Sequence, residues 1–335
     1  MLIVGLDAGY GNVKVATGDR LEVVPSLVAM ARRLGVAASG IKLHKATIVT
    51  FRGHEYAIGA GAPLRGIAFE SIDETRFMAT PTLALLLGAV ARAVGPDAGP
   101  IGLVVGLPVS MLQTTDEARK GIVRSLRQEL TGSHVLQVDG MSIVLDIRRV
   151  WTRAQPLGVW AQWAVTPTGA LHPGARNSLV GIVDIGFHTV DLFGVQASQA
   201  HLGMVAGAEL GVRVLLEDAR GDEDVPYHTL LWEFSQGILA IGNDALANWM
   251  AKVTSFIRRR WRDTRPHMVI LAGGGVAMLQ QRGLLDVLRR AVRAEVYVPP
   301  DPITAGAQGL WKLGQAMLVH ERQAERQPAG VETQT

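Results

Sequence analysis

The feature that most constrains this chain is a pattern it uses twice. Residues 2–6 are an apolar run that meets Asp7-Ala8-Gly9-Tyr10-Gly11-Asn12 and continues as Val13-Lys14-Val15-Ala16. Residues 179–183 are another, meeting Asp184-Ile185-Gly186-Phe187-His188-Thr189 and continuing as Val190-Asp191-Leu192-Phe193-Gly194-Val195. An apolar run, a glycine-containing turn and an alternating run read as two antiparallel strands joined by a tight hairpin. Two such hairpins, half a chain apart, predict an α/β fold with two related halves facing each other. The length of 335 residues accommodates them, and 48% hydrophobic against 19% charged residues rules out a disordered chain.

The segments between follow the same grammar. Residues 101–107 read as a buried strand ending at Pro108, and 115–131 have helical spacing. Residues 47–58 alternate around Arg52-Gly53, a small hairpin inserted into the first half. In the second half, 209–218 and 243–262 read as helices, and 268–271 as a strand ending at Ala272-Gly273-Gly274-Gly275. Helical pieces over 276–282 and 284–294 follow, then Val298-Pro299-Pro300-Asp301-Pro302 and a last helix over about 303–325.

Composition narrows the chemistry by subtraction. With no cysteine there is no disulfide, thiolate metal site or cysteine nucleophile, which suits a reducing compartment. A net charge of +3, even with a pI near 9.4, does not argue for direct nucleic-acid binding, which needs clustered positive charge. The one dense basic run, Arg258-Arg259-Arg260-Trp261-Arg262, reads first as a solvated helix end with cations near the negative pole of the dipole, and second as a partner surface. A mean hydropathy of +0.21 raises the question of a membrane span. The longest uncharged stretch, 154–175, contains Pro156, Pro167 and Pro173, and the run 77–91 is too short and carries Pro81, where about 20 apolar residues are needed. With an acid at Asp7 and no basic leader, the reading is a soluble cytoplasmic protein with no membrane contact.

The hairpin residues carry the chemistry. A carboxylate at a strand end holds a hydrated Mg2+, and Gly9 and Gly11 let backbone N–H groups approach phosphate oxygens with no Cβ in the way. Asn12 adds a donor and Lys14 a positive charge. Asp184 occupies the same place relative to its strand as Asp7, and Thr189 offers a hydroxyl beside Gly186 that would cup a terminal phosphate. His188 reads as a turn residue, because a histidine with no carboxylate at fixed spacing specifies no catalyst. Gly273-Gly274-Gly275 would bring a nucleoside against the backbone at a helix N-terminus. A dinucleotide fold asks for G-x-G-x-x-G, but Met278 and Lys14 stand at the third glycine positions. No Gly-Lys dipeptide exists for a P-loop, and no H-E-x-x-H for a zinc hydrolase.

With these residues in view, the sequence resembles the actin/Hsp70/sugar-kinase superfamily with its ribonuclease H-like fold. Within it, the chain is similar to the prokaryotic actin-like proteins of the ParM/StbA plasmid-segregation type. Phosphate loop 1 looks like residues 7–14 and phosphate loop 2 like residues 184–191. The first connecting strand and helix look like Gly106-Leu107-Pro108 and Arg153-Ala154-Gln155-Pro156-Leu157-Gly158. The adenosine motif looks like residues 271–275, and the second connecting helix like residues 300–309. Phe187-His188 departs from the small residues usual in the second loop, and Trp151, Trp160 and Trp163 around the connecting helix match no motif and read as core packing.

The resemblance implies two lobes around a nucleotide cleft, each with a small subdomain insertion. Lobe I would span 1–165 with an insertion at about 32–75. Lobe II would span 166–310 with an insertion at about 206–265. A C-terminal helix, 311–325, would return to lobe I, and 326–335 would be a flexible tail. It implies an ATP site, with GTP as the alternative, in which Asp7 and Asp184 hold Mg2+ through water. Gly9, Tyr10, Gly11, Asn12, Lys14, Gly186, Phe187, His188, Thr189, Gly273, Gly274, Gly275 and Glu209 would contact the nucleotide, and Gln155 would orient the attacking water, a positioning task open to a neutral side chain. The implied activity is ATP hydrolysis coupled to dynamic filaments of the chain itself that segregate plasmid DNA through a DNA-binding adaptor of the ParR type. Two alternatives stay open: a small-molecule kinase of the same superfamily, for which no base stands out beyond the hairpins, and a non-hydrolysing nucleotide-binding scaffold.

Overall fold

The computed structural model describes residues 1–31, 46–69, 73–112, 115–221 and 225–326. Among the described residues of the first half, ten strands make one mixed sheet. They are β1 (Leu2–Ala8), β2 (Asn12–Ala16), β3 (Leu21–Pro25), β4 (Val28–Ala31), β5 (Thr47–Phe51), β6 (His54–Ile58), β7 (Gly66–Ala68), β8 (Pro100–Leu107), β9 (Gly132–Val138) and β10 (Met141–Ala154), in the order β3-β2-β1-β8-β10-β9-β5-β6-β4-β7. β8 lies parallel between β1 and β10 and is buried from Ile101 to Leu107, as a strand covered on both faces must be. One cover is α1 (Thr80–Val94), an Ala/Leu helix buried along most of its length whose first turn holds Pro81, where a missing N–H costs nothing. α2 (Val109–Leu112) and α3 (Glu117–Leu130) follow β8.

After α4 (Gln155–Ala164) the pattern repeats with a smaller sheet. β11 (Val180–Ile185), β12 (Val190–Gln196), β13 (Gln199–Ala200), β14 (Ala206–Ala208), β15 (Met268–Ala272) and β16 (Glu295–Tyr297) run in the order β13-β12-β11-β15-β16, with β14 on β12. Helices α5 (Val212–Arg220), α6 (Tyr227–Ser235) and α7 (Asn243–Arg260) lie between β14 and β15, and α8 (Gly274–Gln281) and α9 (Leu285–Val292) between β15 and β16. The last element among the described residues is α10 (Ala305–Arg326).

Both hairpins read from the sequence form, as do the strand at 101–107 and the 47–58 hairpin. Two departures have local causes. The helix expected from residue 209 starts at Val212, because Gly211 N–H donates to the His188 carbonyl at 3.0 Å and holds 209–211 against the second hairpin. β9 and β10 form a hairpin not foreseen from the sequence, turning at Asp139-Gly140 with φ of 49° and 86°, the left-handed pair that such a turn requires. The last helix forms as read, from Ala305 to Arg326 against the expected 303–325. The basic run closes α7, whose last turn holds Arg258, Arg259 and Arg260, and Arg262 pairs with Asp263 at 3.1 Å. Among the described residues no helix is long and apolar enough to cross a membrane.

α4 and α10 cross beneath the gap between the sheets, and glycines let them touch. A Cβ on Gly158 would lie 2.5 Å from the Gly306 carbonyl oxygen, and one on Gly309 would overlap the Gly158 carbonyl. α10 also lies against β1, where a Cβ on Gly5 would overlap the Ala307 carbonyl. The apolar core is continuous across the gap as well: Tyr10, Leu27 and Ala57 from the first half cluster with Phe187, Val190 and Tyr227 from the second.

Candidate functional site

The two hairpin turns face each other above the α4–α10 crossing. Asp7 lies at the end of β1, 5% exposed. Antiparallel register sets Lys14 directly opposite, and its Nζ donates to Asp7 Oδ2 at 3.0 Å. Gln155, buried at the start of α4, donates from Nε2 to Asp7 Oδ1 at 2.8 Å. Both oxygens of Asp7 are therefore engaged by donors on the protein. Gly306 of α10 packs against the same carboxylate, since a Cβ there would stand 3.1 Å from Oδ2.

The second hairpin has the same backbone and a different charge balance. Register sets Asp191, not a lysine, opposite Asp184. Asp184 makes no hydrogen bond among the described residues and is pushed up to about 7, chiefly by burial, then by the Asp7 charge, with Lys14 opposing and Asp191 adding. Asp191, 4% exposed, is pushed up to about 6 by burial against the pull of the Thr189 hydroxyl, which donates to its Oδ2 at 2.8 Å. Burial, then the charge of Arg213, holds His188 below the usual histidine range despite Glu209.

The turns meet. A Cβ on Gly11 would lie 2.7 Å from Phe187 Cβ, and the rings of Tyr10 and His188 meet with centroids 4.8 Å apart and planes tilted by 51°. The Tyr227 hydroxyl reaches across from α6 and donates to the carbonyls of Tyr10 at 3.1 Å and Ser26 at 2.7 Å. The enclosed space is about 60 Å3, room for a few waters and not for a nucleoside triphosphate. Its walls are Asp7, Gly9, Tyr10, Gly11, Asn12 and Lys14 from the first hairpin with Gln155 beneath. Asp184, Gly186, Phe187, His188 and Thr189 of the second face them, and Gly273 and Gly274 close the end.

Two residues named from the sequence stand elsewhere. Gly275 is a packing glycine, its Cβ position filled by Ile185 Cγ2. The side chain of Glu209 is 71% exposed and faces an adjoining cavity of about 610 Å3, with only loose approaches to His188 at 3.8 Å and Arg213 at 3.9 Å. Thr189 keeps its place in the turn, but its hydroxyl proton is committed to Asp191. Asp191 was not singled out from the sequence, although hairpin symmetry about Phe187-His188 pairs it with Asp184.

The residues fit a nucleotide with a divalent cation. Asp184, with no hydrogen bond among the described residues and with Asp7 beside it, offers the carboxylate oxygens that a hard cation takes, and a cation there would add to the partial countercharge of Lys14, whose ammonium bonds Asp7. Gly273, φ +94°, turns the chain into α8, and a Cβ on Gly274 would meet nothing within 4 Å, so the start of that helix is open to a ligand.

Comparison with known proteins agrees with this geometry. Residues 5–158 match the family described as actin like proteins N terminal domain. The apo ParM protein of pSK41 superposes with a TM-score of 0.70 at 16% identity, over 97% of this chain and 99% of that one. A ParM from a 15-stranded filament of Clostridium botulinum gives 0.68 at 15% identity, over 94% and 99%. ParM of Bacillus thuringiensis with ADP gives 0.64 at 14% identity, over 96% and 99%. No curated protein sequence matches significantly. The fold is that of the actin-like proteins.

Proposed function

We propose that this chain, an actin-like protein of the ParM type, is an ATPase whose filaments assemble and disassemble with the state of a nucleotide bound between its two hairpins. The observation that carries the proposal is the convergence of Asp7, Lys14, Gln155 and Asp184 on one cavity walled by both glycine turns. In this reading residues 1–165 and 166–310 are lobes that hinge at the α4–α10 crossing, the C-terminal helix returns to lobe I, and opening admits the nucleotide. Mg2+, held through water by Asp7 and Asp184, would neutralise charge on the phosphates. Lys14 and the hairpin amides hold the phosphate oxygens. Gln155, its amide NH2 tied to Asp7, keeps its carbonyl oxygen to orient water in line with the terminal phosphorus. Filament structure in the Clostridium botulinum relative and ADP in the Bacillus thuringiensis one support self-assembly and nucleotide binding here. Plasmid DNA as cargo, an adaptor of the ParR type and a cytoplasmic setting belong to the same proposal.

Sedimentation and electron microscopy with phosphate release, in ATP, ADP and a non-hydrolysable analogue, test it. ATP-dependent polymer that disappears as phosphate is released is expected; no polymer with any nucleotide would overturn the filament reading. One observation favours a second reading, small-molecule phosphorylation. The cavity of about 610 Å3 opens beside the second hairpin with Asp191, near 6, in its wall, which is room for an acceptor and a carboxylate poised as base. ATP turnover that requires an added acceptor would favour it.

A further inference from the structure

Arg76 lies directly behind the first hairpin, in the helical turn Glu74–Met78 that precedes α1. Its flanks, Asp73-Glu74-Thr75, are those of a solvated surface arginine, yet it is 5% exposed. No carboxylate pairs with it among the described residues. Its Nη2 instead donates to the carbonyls of Ala8 at 2.9 Å and Gly9 at 3.1 Å, and its guanidinium lies 3.9 Å from the centre of the Tyr10 ring. Its Nε has no acceptor. A buried cation with no carboxylate in direct contact is costly, and the acid whose charge reaches it is Asp7, on the strand end that the Ala8 and Gly9 carbonyls follow.

Peptide planarity gives these contacts a consequence. The N–H of each residue points opposite to the carbonyl before it. The guanidinium draws the Ala8 carbonyl to the back of the turn and, with the Ser26 hydroxyl that donates to the Gly9 oxygen at 2.7 Å, the Gly9 carbonyl, and so turns the N–H groups of Gly9 and Tyr10 to the front, where the cavity lies. Neither N–H has an acceptor among the described residues. Two free amides side by side, with Lys14 Nζ 3.0 Å from where a Gly9 Cβ would stand, form an anion cradle.

We propose that Arg76 is a positioning residue for the polyphosphate: it pins the Ala8 and Gly9 carbonyls, aims the Gly9 and Tyr10 amides into the cleft, and holds behind them a positive charge that a bound phosphate chain neutralises. The proposal rests on the nucleotide reading above and adds a residue that touches neither ligand nor cavity.

The test is the dependence of affinity on phosphate number. Adenosine, AMP, ADP and ATP are titrated calorimetrically with Mg2+ into wild type, Arg76→Gln and Arg76→Lys, with thermal unfolding as the folding control. Arg76→Gln is expected to weaken ATP by about 10- to 100-fold, the loss of a charge-assisted contact, while leaving adenosine within about twofold. Arg76→Lys, which keeps the charge and one carbonyl contact, recovers part of the loss. If Arg76→Gln does not fold, Arg76→Lys alone decides, by weakening ATP more than adenosine. An equal loss for all four ligands, or an unchanged ATP-to-adenosine ratio in a folded variant, overturns the role while the nucleotide site stands. A wild type that binds none of the four overturns the site and this role with it.

Discussion

Asp184→Asn is the perturbation whose sign is least intuitive: the substitution should stabilise the empty protein while abolishing its activity. In the fold the carboxyl is pushed up to about 7, against 3.8 for an ordinary Asp. Between those values the folded chain holds a proton that the unfolded chain has lost, so stability falls as pH rises from about 4 to about 7 and is level above. The penalty, at about 1.4 kcal/mol per pH unit, reaches about 4 kcal/mol above neutrality. Asparagine removes it but buries an amide with no partner, costing about 1–3 kcal/mol. The net gain at pH 8 is about 1–3 kcal/mol, or about 1–4 °C in Tm for a chain of 335 residues. The assay is thermal and urea unfolding of both proteins in EDTA without nucleotide, from pH 4 to 8. The variant should be less stable than wild type at pH 4, by the cost of its partnerless amide, and overtake it as the pH rises through the 4–7 window, while Mg2+ with ATP should raise the Tm of wild type and not of the variant. A variant less stable than wild type at pH 8, or a gap that does not change with pH, would refute the reasoning.

Gln155→Ala should lower single-turnover phosphate release by about 100-fold, the cost of a misplaced water, and lengthen polymer lifetime with little change in ATP affinity. Gly158→Ala puts a methyl 2.5 Å from the Gly306 carbonyl oxygen at the helix crossing, and should destabilise the fold by about 1–3 kcal/mol in urea unfolding. Tyr227→Phe keeps the ring against Phe187 but removes both hydrogen bonds to the first half, so release of a fluorescent ATP analogue should quicken by about 10-fold in stopped flow.

How legible each residue was depended on how local its cause is. The hairpins are set by turn glycines and alternation within ten or so residues, so their strands, and the facing of Asp7 and Lys14, follow from the sequence. Asp191 was within reach by the same symmetry, because a turn centred between Phe187 and His188 sets it opposite Asp184. Gly275 was misleading because a glycine that admits a phosphate and one that admits Ile185 are the same letter. Arg76 left no signal at all. In sequence it belongs to an acidic surface turn, and only the docking of that turn behind β1 buries it. Glu209 stands outside the cavity for a related reason: the strand β14 that pairs with β12 carries it past the turn and into the neighbouring groove.

The two hairpins are backbone copies with unlike charge, and that asymmetry gives the cleft its direction. In the first, Asp7 is answered on one oxygen by Lys14 and on the other by Gln155, and Arg76 adds a second cation behind the turn. In the second, Asp184 faces Asp191, and burial leaves both near neutrality in pKa with no basic partner among the described residues. One side of the cleft thus has positive charge to spare for an anion, and the other has carboxylates in want of a cation. A phosphate chain bridged to a divalent ion satisfies both sides at once, which neither ion does alone. Closure around such a pair gains on both faces, whereas closure around nothing leaves Asp184 and Arg76 unbalanced. On the proposed function, the nucleotide would act as the switch between open and closed lobes through its charge distribution alone, before any hydrolysis.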